Sequence, residues 1–159
     1  MKRDPRGRPP EMATIVPGLL VGEYPRLEDV EALCRERGVS AVLSLQDEHD
    51  LWDKGLSLGE LEAAYRRRGV VFRRVPIVDM NERDLSERLP EAVDALHELA
   101  SAGHTVLLHC NAGVNRAPSV AIAYLCSHRG MTLDEAFDLV KERRGYCLPY
   151  MTPLRQRFQ

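Results

Sequence analysis

Apolar and polar positions change period along this chain, and the changes divide it into strands and helices. Thr14-Ile15-Val16 and Leu19-Leu20-Val21 are short apolar runs separated by Pro17-Gly18, which predicts two strands joined by a tight turn. Leu27, Val30, Leu33 and Cys34 then recur at helical spacing. Leu27 to Arg37 is therefore expected to be a helix stopped by Gly38, with Cys34 a small core residue on its apolar stripe. Val39 to Leu45 is half alternating and half continuous, the pattern of a strand near the centre of a sheet. Gln46 to Leu58 is polar and irregular and carries the single tryptophan, Trp52.

Helical spacing resumes through Leu58, Leu61 and Tyr65 and stops at Gly69. Val70 to Ile77 predicts another strand, and Asp79 to Asp84 an acidic loop. A long helix is expected from about Ser86 to Ala102, where Pro90 is tolerated in the early turns if Ser86 is the cap. Thr105 to Leu108 reads as a buried strand and Val120 to Leu125 as a buried helix stopped by Gly130. Thr132 and Glu135 form a capping box that opens a last clear helix, Leu133 to about Arg144, before a short amphipathic tail. Tyr124, Cys126 and Phe137 are assigned to the core; His49, His97, His104 and His128 follow no ligand spacing and are placed on the surface. Alternating strands and helices predict an α/β fold with a central, mainly parallel sheet flanked by helices on both faces.

The chain has 159 residues, 44% hydrophobic and 29% charged, which suits one soluble domain with a real core. Its apolar runs are too short to span a bilayer, and the basic start lacks the apolar stretch of a signal peptide. A cytoplasmic monomer with no membrane partner is expected. A net charge of −2 excludes a general nucleic-acid binder. That charge is uneven: Lys2, Arg3, Arg6 and Arg8 against Asp4 give +3 over residues 1–10, leaving −5 for the rest. With Pro5, Gly7, Pro9 and Pro10 interleaved, residues 1–11 are expected to form a disordered basic arm, and 12–159 the single domain. Cys34, Cys110, Cys126 and Cys147 show no Cys-x-x-Cys spacing, so no metal site is expected.

The stretch from His109 to Ser119 changes the picture most. Placed between the predicted strand and the buried helix, it is a tight loop running into a helix N-terminus. Unpaired backbone N–H groups and the positive end of the helix dipole make that an anion site. Cys110 opens the loop and Arg116 closes it, with five residues between. A cup that binds phosphate also stabilises a thiolate, so Cys110 is expected to be a nucleophile. Arg116 carries a planar fork suited to two oxygens of one phosphoryl group. Gly113 supplies the positive φ that turning the N–H groups inward demands.

His109-Cys110, five residues and Arg116 in this strand–loop–helix context resemble the signature of the cysteine-dependent protein tyrosine phosphatases. Ala112-Gly113 and the short flanks are similar to the dual-specificity branch of that family. The resemblance implies a protein tyrosine phosphatase-like fold and metal-free, cofactor-free hydrolysis of phosphotyrosine and phosphoserine/threonine in proteins. Cys110 would be the nucleophile, and Asn111, Ala112, Gly113, Val114, Asn115 and Arg116 would hold the phosphate. His109 would support the loop through the backbone. The reaction also needs an acid on another loop to protonate the leaving group. Asp79 follows the strand ending in Val78, where the family places its acid; Asp84 is the second choice, better suited to capping the next helix. Many members carry Ser or Thr after the arginine, where this chain has Ala117, and Ser119 is no obvious substitute.

A wider resemblance, through Val42 to Gln46, Asp47, Asp50, Trp52 to Leu58, Arg74 to Ile77 and Arg116-Ala117-Pro118, is to plant glucan phosphatases. It makes a phosphorylated starch-like polysaccharide the alternative substrate, although Asn115 and Met80 depart from that group's usual glycine and aromatic. A catalytically dead phospho-binding module is the alternative of another class, and intact Cys110, Arg116 and Asp79 argue against it.

Overall fold

The computed structural model describes residues 7–159. Strands β1 (Met12–Val16) and β2 (Leu19–Gly22) form the expected antiparallel pair, turned at Gly18 with φ 86°. β3 (Ala41–Ser44), β4 (Val71–Arg74) and β5 (Val106–His109) complete a five-stranded sheet of order β1-β2-β5-β3-β4. β5 lies in the middle, parallel to both neighbours, with Leu107 level with Leu20 and Val42. Helices cover both faces, so every residue of β3 and β5 is buried, and their near-continuous apolar sequences follow from that.

Side chains alternate across the sheet. Leu20, Val42 and Leu107 meet α1 (Val30–Arg37) and α3 (Leu58–Arg67) through Val30, Leu33, Leu61 and Tyr65. Val21, Leu43, Val106 and Leu108 face a larger layer made of α4 (Glu82–Ser101), α5 (Arg116–His128), α6 (Leu133–Arg143) and α7 (Met151–Phe158). Each such leucine contributes about 1.5–3 kcal/mol over its exposed state. No helix among the described residues is long and apolar enough to cross a membrane.

Four local expectations change. The stretch read as irregular contains α2 (Glu48–Asp53), because Asp47 accepts from the Asp50 amide and Asp50 from the Asp47 amide. α4 starts at Glu82, not Ser86, because Asn81 caps it by accepting from the Asp84 amide. Pro90 therefore lies inside the helix, where it has no N–H for the Ser86 carbonyl; the Arg157 guanidinium of α7 donates to that carbonyl instead.

The remaining two concern the arm and the histidines. Of the basic arm, residues 1–6 lie outside the described residues. Residues 7–11 carry no helix or strand, yet they are tied down: Arg8 pairs with Glu23 at 2.6 Å, and the same carboxylate accepts from the Glu11 amide. Of the histidines expected at the surface, only His104 departs from that placement: it is half-buried, its Nδ1 2.9 Å from Ser40 Oγ, whereas His49, His97 and His128 are exposed, the last two stacked with ring centres 3.8 Å apart.

Candidate active site

β5 delivers Cys110 to the carboxyl end of the sheet, and α5 begins at Arg116, so the loop between them has two buried ends. All five carbonyls from Asn111 to Asn115 have a donor. Tyr24 N–H reaches Asn111 O, Arg144 reaches Ala112 O and Gly113 O, Leu148 N–H reaches Val114 O, and Ser119 Oγ reaches Asn115 O at 2.6 Å. With the carbonyls held by these surrounding groups, the loop's amide N–H groups are left for the cup. Gly113 has φ 66°, and a Cβ there would stand 2.7 Å from the Gly22 carbonyl carbon. Both the conformation and the close approach require glycine. His109 is buried with Nδ1 3.0 Å from the Cys110 carbonyl, a backbone contact of the kind the resemblance implied.

Arg116 is the largest fully buried side chain of the described residues. Its Nη1 donates to Asp50 Oδ2 at 2.7 Å and to the Ile77 carbonyl at 2.8 Å. Its Nε has no hydrogen-bond partner, with Asp79 Oδ1 3.4 Å away. Burial disfavours the guanidinium charge, but Cys110, Asp50 and Asp79 outweigh it and raise the Arg116 pKa. Asp50 is the reverse: burial pushes its carboxyl up, and hydrogen bonds from Arg116, the Asp47 amide and Asn111 hold it below the ordinary value. Asp47 is pushed up, chiefly by burial. Asn111 Nδ2 donates to Asp50 Oδ1, and Gln46 Nε2 to Asn111 Oδ1, both at 2.8 Å. A chain of buried and half-buried side chains thus couples the loop after β3 to both ends of the cup.

The cup is a cavity of about 50 Å³ lined by Asp79, Cys110, Arg116 and the loop residues Asn111, Ala112, Val114 and Asn115. Gly113 and His109 shape it without lining it. Asp79 sits on an exposed turn, its Oδ1 accepting from the Met80 amide at 3.0 Å, and Met80 is the non-glycine residue of the described chain with positive φ, 58°. Asp84 is committed elsewhere: its Oδ2 accepts from the Val78 amide at 2.7 Å, and Arg88 lies beside it. Ser119 is equally committed, donating to Asn115 O and accepting from the Tyr150 amide at 2.8 Å.

Sequence reasoning missed the outer supports. Arg144, expected only as the approximate end of the last clear helix, is buried and clamps two loop carbonyls. Asn115, noted as a departure, donates through Nδ2 to the Leu148 carbonyl at 2.7 Å. Tyr150 reaches the turn that carries Asp79; burial first and Asp79 next push its phenol up, against Arg116 and a hydrogen bond from the Met80 backbone.

Comparison with known proteins adds independent findings. Residues 19–157 match the family described as "Dual specificity phosphatase, catalytic domain". The chain is 34% identical over 136 residues to dual specificity protein phosphatase Mpk3 of Drosophila melanogaster, covering 85% of this chain and 30% of that protein. It is 30% identical over 145 residues to dual specificity protein phosphatase 2 of Homo sapiens, covering 91% and 42%. The chain thus spans less than half the length of these relatives. Among solved structures, Tk-PTP in its active form superposes with a TM-score of 0.74 at 25% identity, covering 91% of both chains.

Proposed function

From the premise that the chain belongs to the dual specificity phosphatase catalytic-domain family, we propose that it hydrolyses phosphotyrosine and phosphoserine or phosphothreonine in proteins through a cysteinyl-phosphate. The observation that carries this reading is the state of Arg116. Its Nη1 is pinned by Asp50 and Ile77, while its buried Nε has no hydrogen bond, only the Asp79 carboxylate 3.4 Å away, beside a cavity that Cys110 and Asp79 share. A buried N–H without a partner costs about 1–3 kcal/mol, and a phosphoryl oxygen in the cup would relieve that cost.

In the first step Cys110 Sγ attacks phosphorus in line as the bond to the leaving oxygen breaks, and Asp79 gives that oxygen its proton. The amides of residues 111–116 and Arg116 hold the other three oxygens, where the electrostatic stabilisation is concentrated. In the second step Asp79 takes a proton from water as water attacks phosphorus, releasing phosphate and the Cys110 thiolate. The four cysteines are free thiols, and a reducing, cytoplasmic compartment would keep the nucleophile from oxidation.

Phosphotyrosyl, phosphothreonyl and phosphoglucan substrates assayed in parallel test the reading, with Cys110→Ser as the control. The peptides should be turned over and the glucan should not. Cys110→Ser should abolish turnover while retaining phosphate binding, because a serine hydroxyl is not ionised near pH 7. Appreciable hydrolysis by purified Cys110→Ser overturns the mechanism, and preferential turnover of the glucan overturns the substrate class.

A further inference from the structure

Seven large apolar side chains are exposed among the described residues: Leu27, Trp52, Val71, Val78, Met80, Tyr146 and Leu148. Five of them sit on segments that build the cup. Val78 and Met80 flank Asp79, and Trp52 lies two residues beyond Asp50, the Arg116 partner. Tyr146 and Leu148 belong to the segment 144–150, which is stitched to the cup loop at four consecutive residues. Arg144 holds Ala112 and Gly113, Leu148 N–H holds Val114, and Asn115 holds the Leu148 carbonyl. The Arg144 guanidinium also lies 6.0 Å from the centre of the Tyr146 ring, which fixes the ring beside that contact. Met80, 86% exposed, is held out by a positive φ that a methionine adopts at a cost. Among the described residues, two of the three most exposed apolar groups, Tyr146 and Leu148, are therefore fixed to the tightly built cup loop, and the third, Met80, stands beside Asp79 at its mouth.

Charge around the cup points the same way. The arginine nearest the loop, Arg144, is buried and spent on carbonyls. Arg74 is engaged by Gln46 O and Glu48, and Lys54 by Asp53. Carboxylates stand at Asp79 and Glu82 on either side of Met80. A rim of this kind does not complement a polyanionic headgroup or an acidic flank.

Resting on the phosphatase reading above, we infer that Met80, Tyr146 and Leu148 form an apolar recognition rim, and that the substrate is a protein segment whose phosphorylated residue is flanked by apolar side chains. The rim selects by covering those side chains while the cup holds the phosphate.

The test uses the full chain and two matched sets of phosphotyrosyl and phosphothreonyl peptides, flanked by Leu, Val and Phe or by Asp and Glu. Hydrolysis of p-nitrophenyl phosphate, which has no flanks, checks the phosphatase reading separately. The apolar set should be favoured by about tenfold in kcat/KM, mainly through KM. Tyr146→Ser and Leu148→Ser should each erase much of that preference, and Tyr146→Phe and Leu148→Met should keep it. Both positions are exposed, so the serine variants should fold. Equal use of the two sets, preference for the acidic set, greater activity on a phosphorylated glucan or phosphoinositide vesicle, or a preference untouched by the serine variants overturns the inference. Absence of nitrophenyl phosphate turnover overturns the phosphatase reading instead.

Discussion

Every carbonyl from Asn111 to Asn115 is held from outside the cup, whereas the turn that carries Asp79 rests on two local bonds, from the Met80 and Val78 amides, with Tyr150 and Arg116 beside it. The first region is buried at Cys110 and Arg116 and fixed by glycine at a backbone crossing. The second is exposed at Val78 and Met80 and reaches the cup through one carboxylate near Arg116 Nε. The difference matches the roles proposed for the two regions. An oxyanion cradle works by being organised before charge develops, and so it is built rigidly. A proton donor must meet leaving groups of different shape, and an exposed turn accommodates that.

The sharpest way to separate the two regions is to remove the acid and keep the cup. With Asp79 as the donor, Asp79→Asn should lower hydrolysis of phosphoserine and phosphothreonine peptides by about 10²–10⁴ and barely affect nitrophenyl phosphate, whose phenol leaves unaided. Asp84→Asn should lower stability more than rate, since the Asp84 carboxylate accepts from the Val78 amide and lies beside Arg88. A larger rate loss from Asp84→Asn on poor leaving groups would move the acid to that residue.

The converse experiment strains the cup and spares the acid. Gly113→Ala combines a positive φ with a Cβ 2.7 Å from the Gly22 carbonyl carbon. It should cost about 2–4 kcal/mol, a fall of roughly 5–10 °C in melting temperature for a chain of this size, with phosphate affinity lost as well. A calorimetric scan and phosphate titration read both. An unchanged melting temperature would mean that Gly22 and Gly113 can part freely, contrary to a rigid cup.

These two regions also differ in how far the chain announced them. The cup is local: strand, cysteine, glycine, arginine and helix lie within one short stretch, so composition and spacing carry its geometry. The sheet was legible for the same reason, through continuous apolar runs at β3 and β5. What supports the cup is not local. Arg144 and Leu148 follow it by some thirty residues, and Asp50 precedes it by sixty. Only folding places them, and each reads as an ordinary surface or capping residue. α4 was begun late because Asn81, a good cap, stands in a run read as loop, and the Pro90 penalty is offset by Arg157 from the far end of the chain. Asp79 is legible only through family resemblance and strand order, helped by the position of Asp84 just before a helix, which suits that residue to capping.

Asp50 joins the comparison at the cup's back wall. Asp50→Asn should reduce kcat by about tenfold, the scale of one charge-assisted hydrogen bond, because Arg116 loses the anchor that leaves its Nε for substrate. The pH dependence gives an independent readout. Folding lowers the Asp50 pKa, so the folded chain binds that proton less readily than the unfolded chain. The associated stability is fully present above about pH 4 and is lost as pH falls through the folded value. The melting-temperature gap between native protein and Asp50→Asn should therefore be widest near neutrality and shrink below about pH 4. A gap independent of pH would mean that Asp50 acts by packing alone.

Ala117 tests the cup at its finest grain. It is fully buried directly after Arg116, and Ser119, the nearest hydroxyl along α5, donates to Asn115 O while accepting the Tyr150 amide. Neither residue offers a free hydroxyl to the departing Cys110 thiolate. If such a hydroxyl speeds the second step, the native enzyme should accumulate cysteinyl-phosphate. Rapid mixing with a good aryl phosphate should then release a burst of phenol near the enzyme concentration, followed by slower turnover. Ala117→Ser adds one oxygen where a methyl now packs, and should raise the steady rate about threefold and shrink the burst. That gain is smaller than any loss above, because the new hydroxyl must also satisfy itself in a buried place. A native enzyme without a burst at saturating substrate would show that the amides and Arg116 already suffice to release the thiolate. The rigid cup, and not a hydroxyl, would then set the rate of the second step.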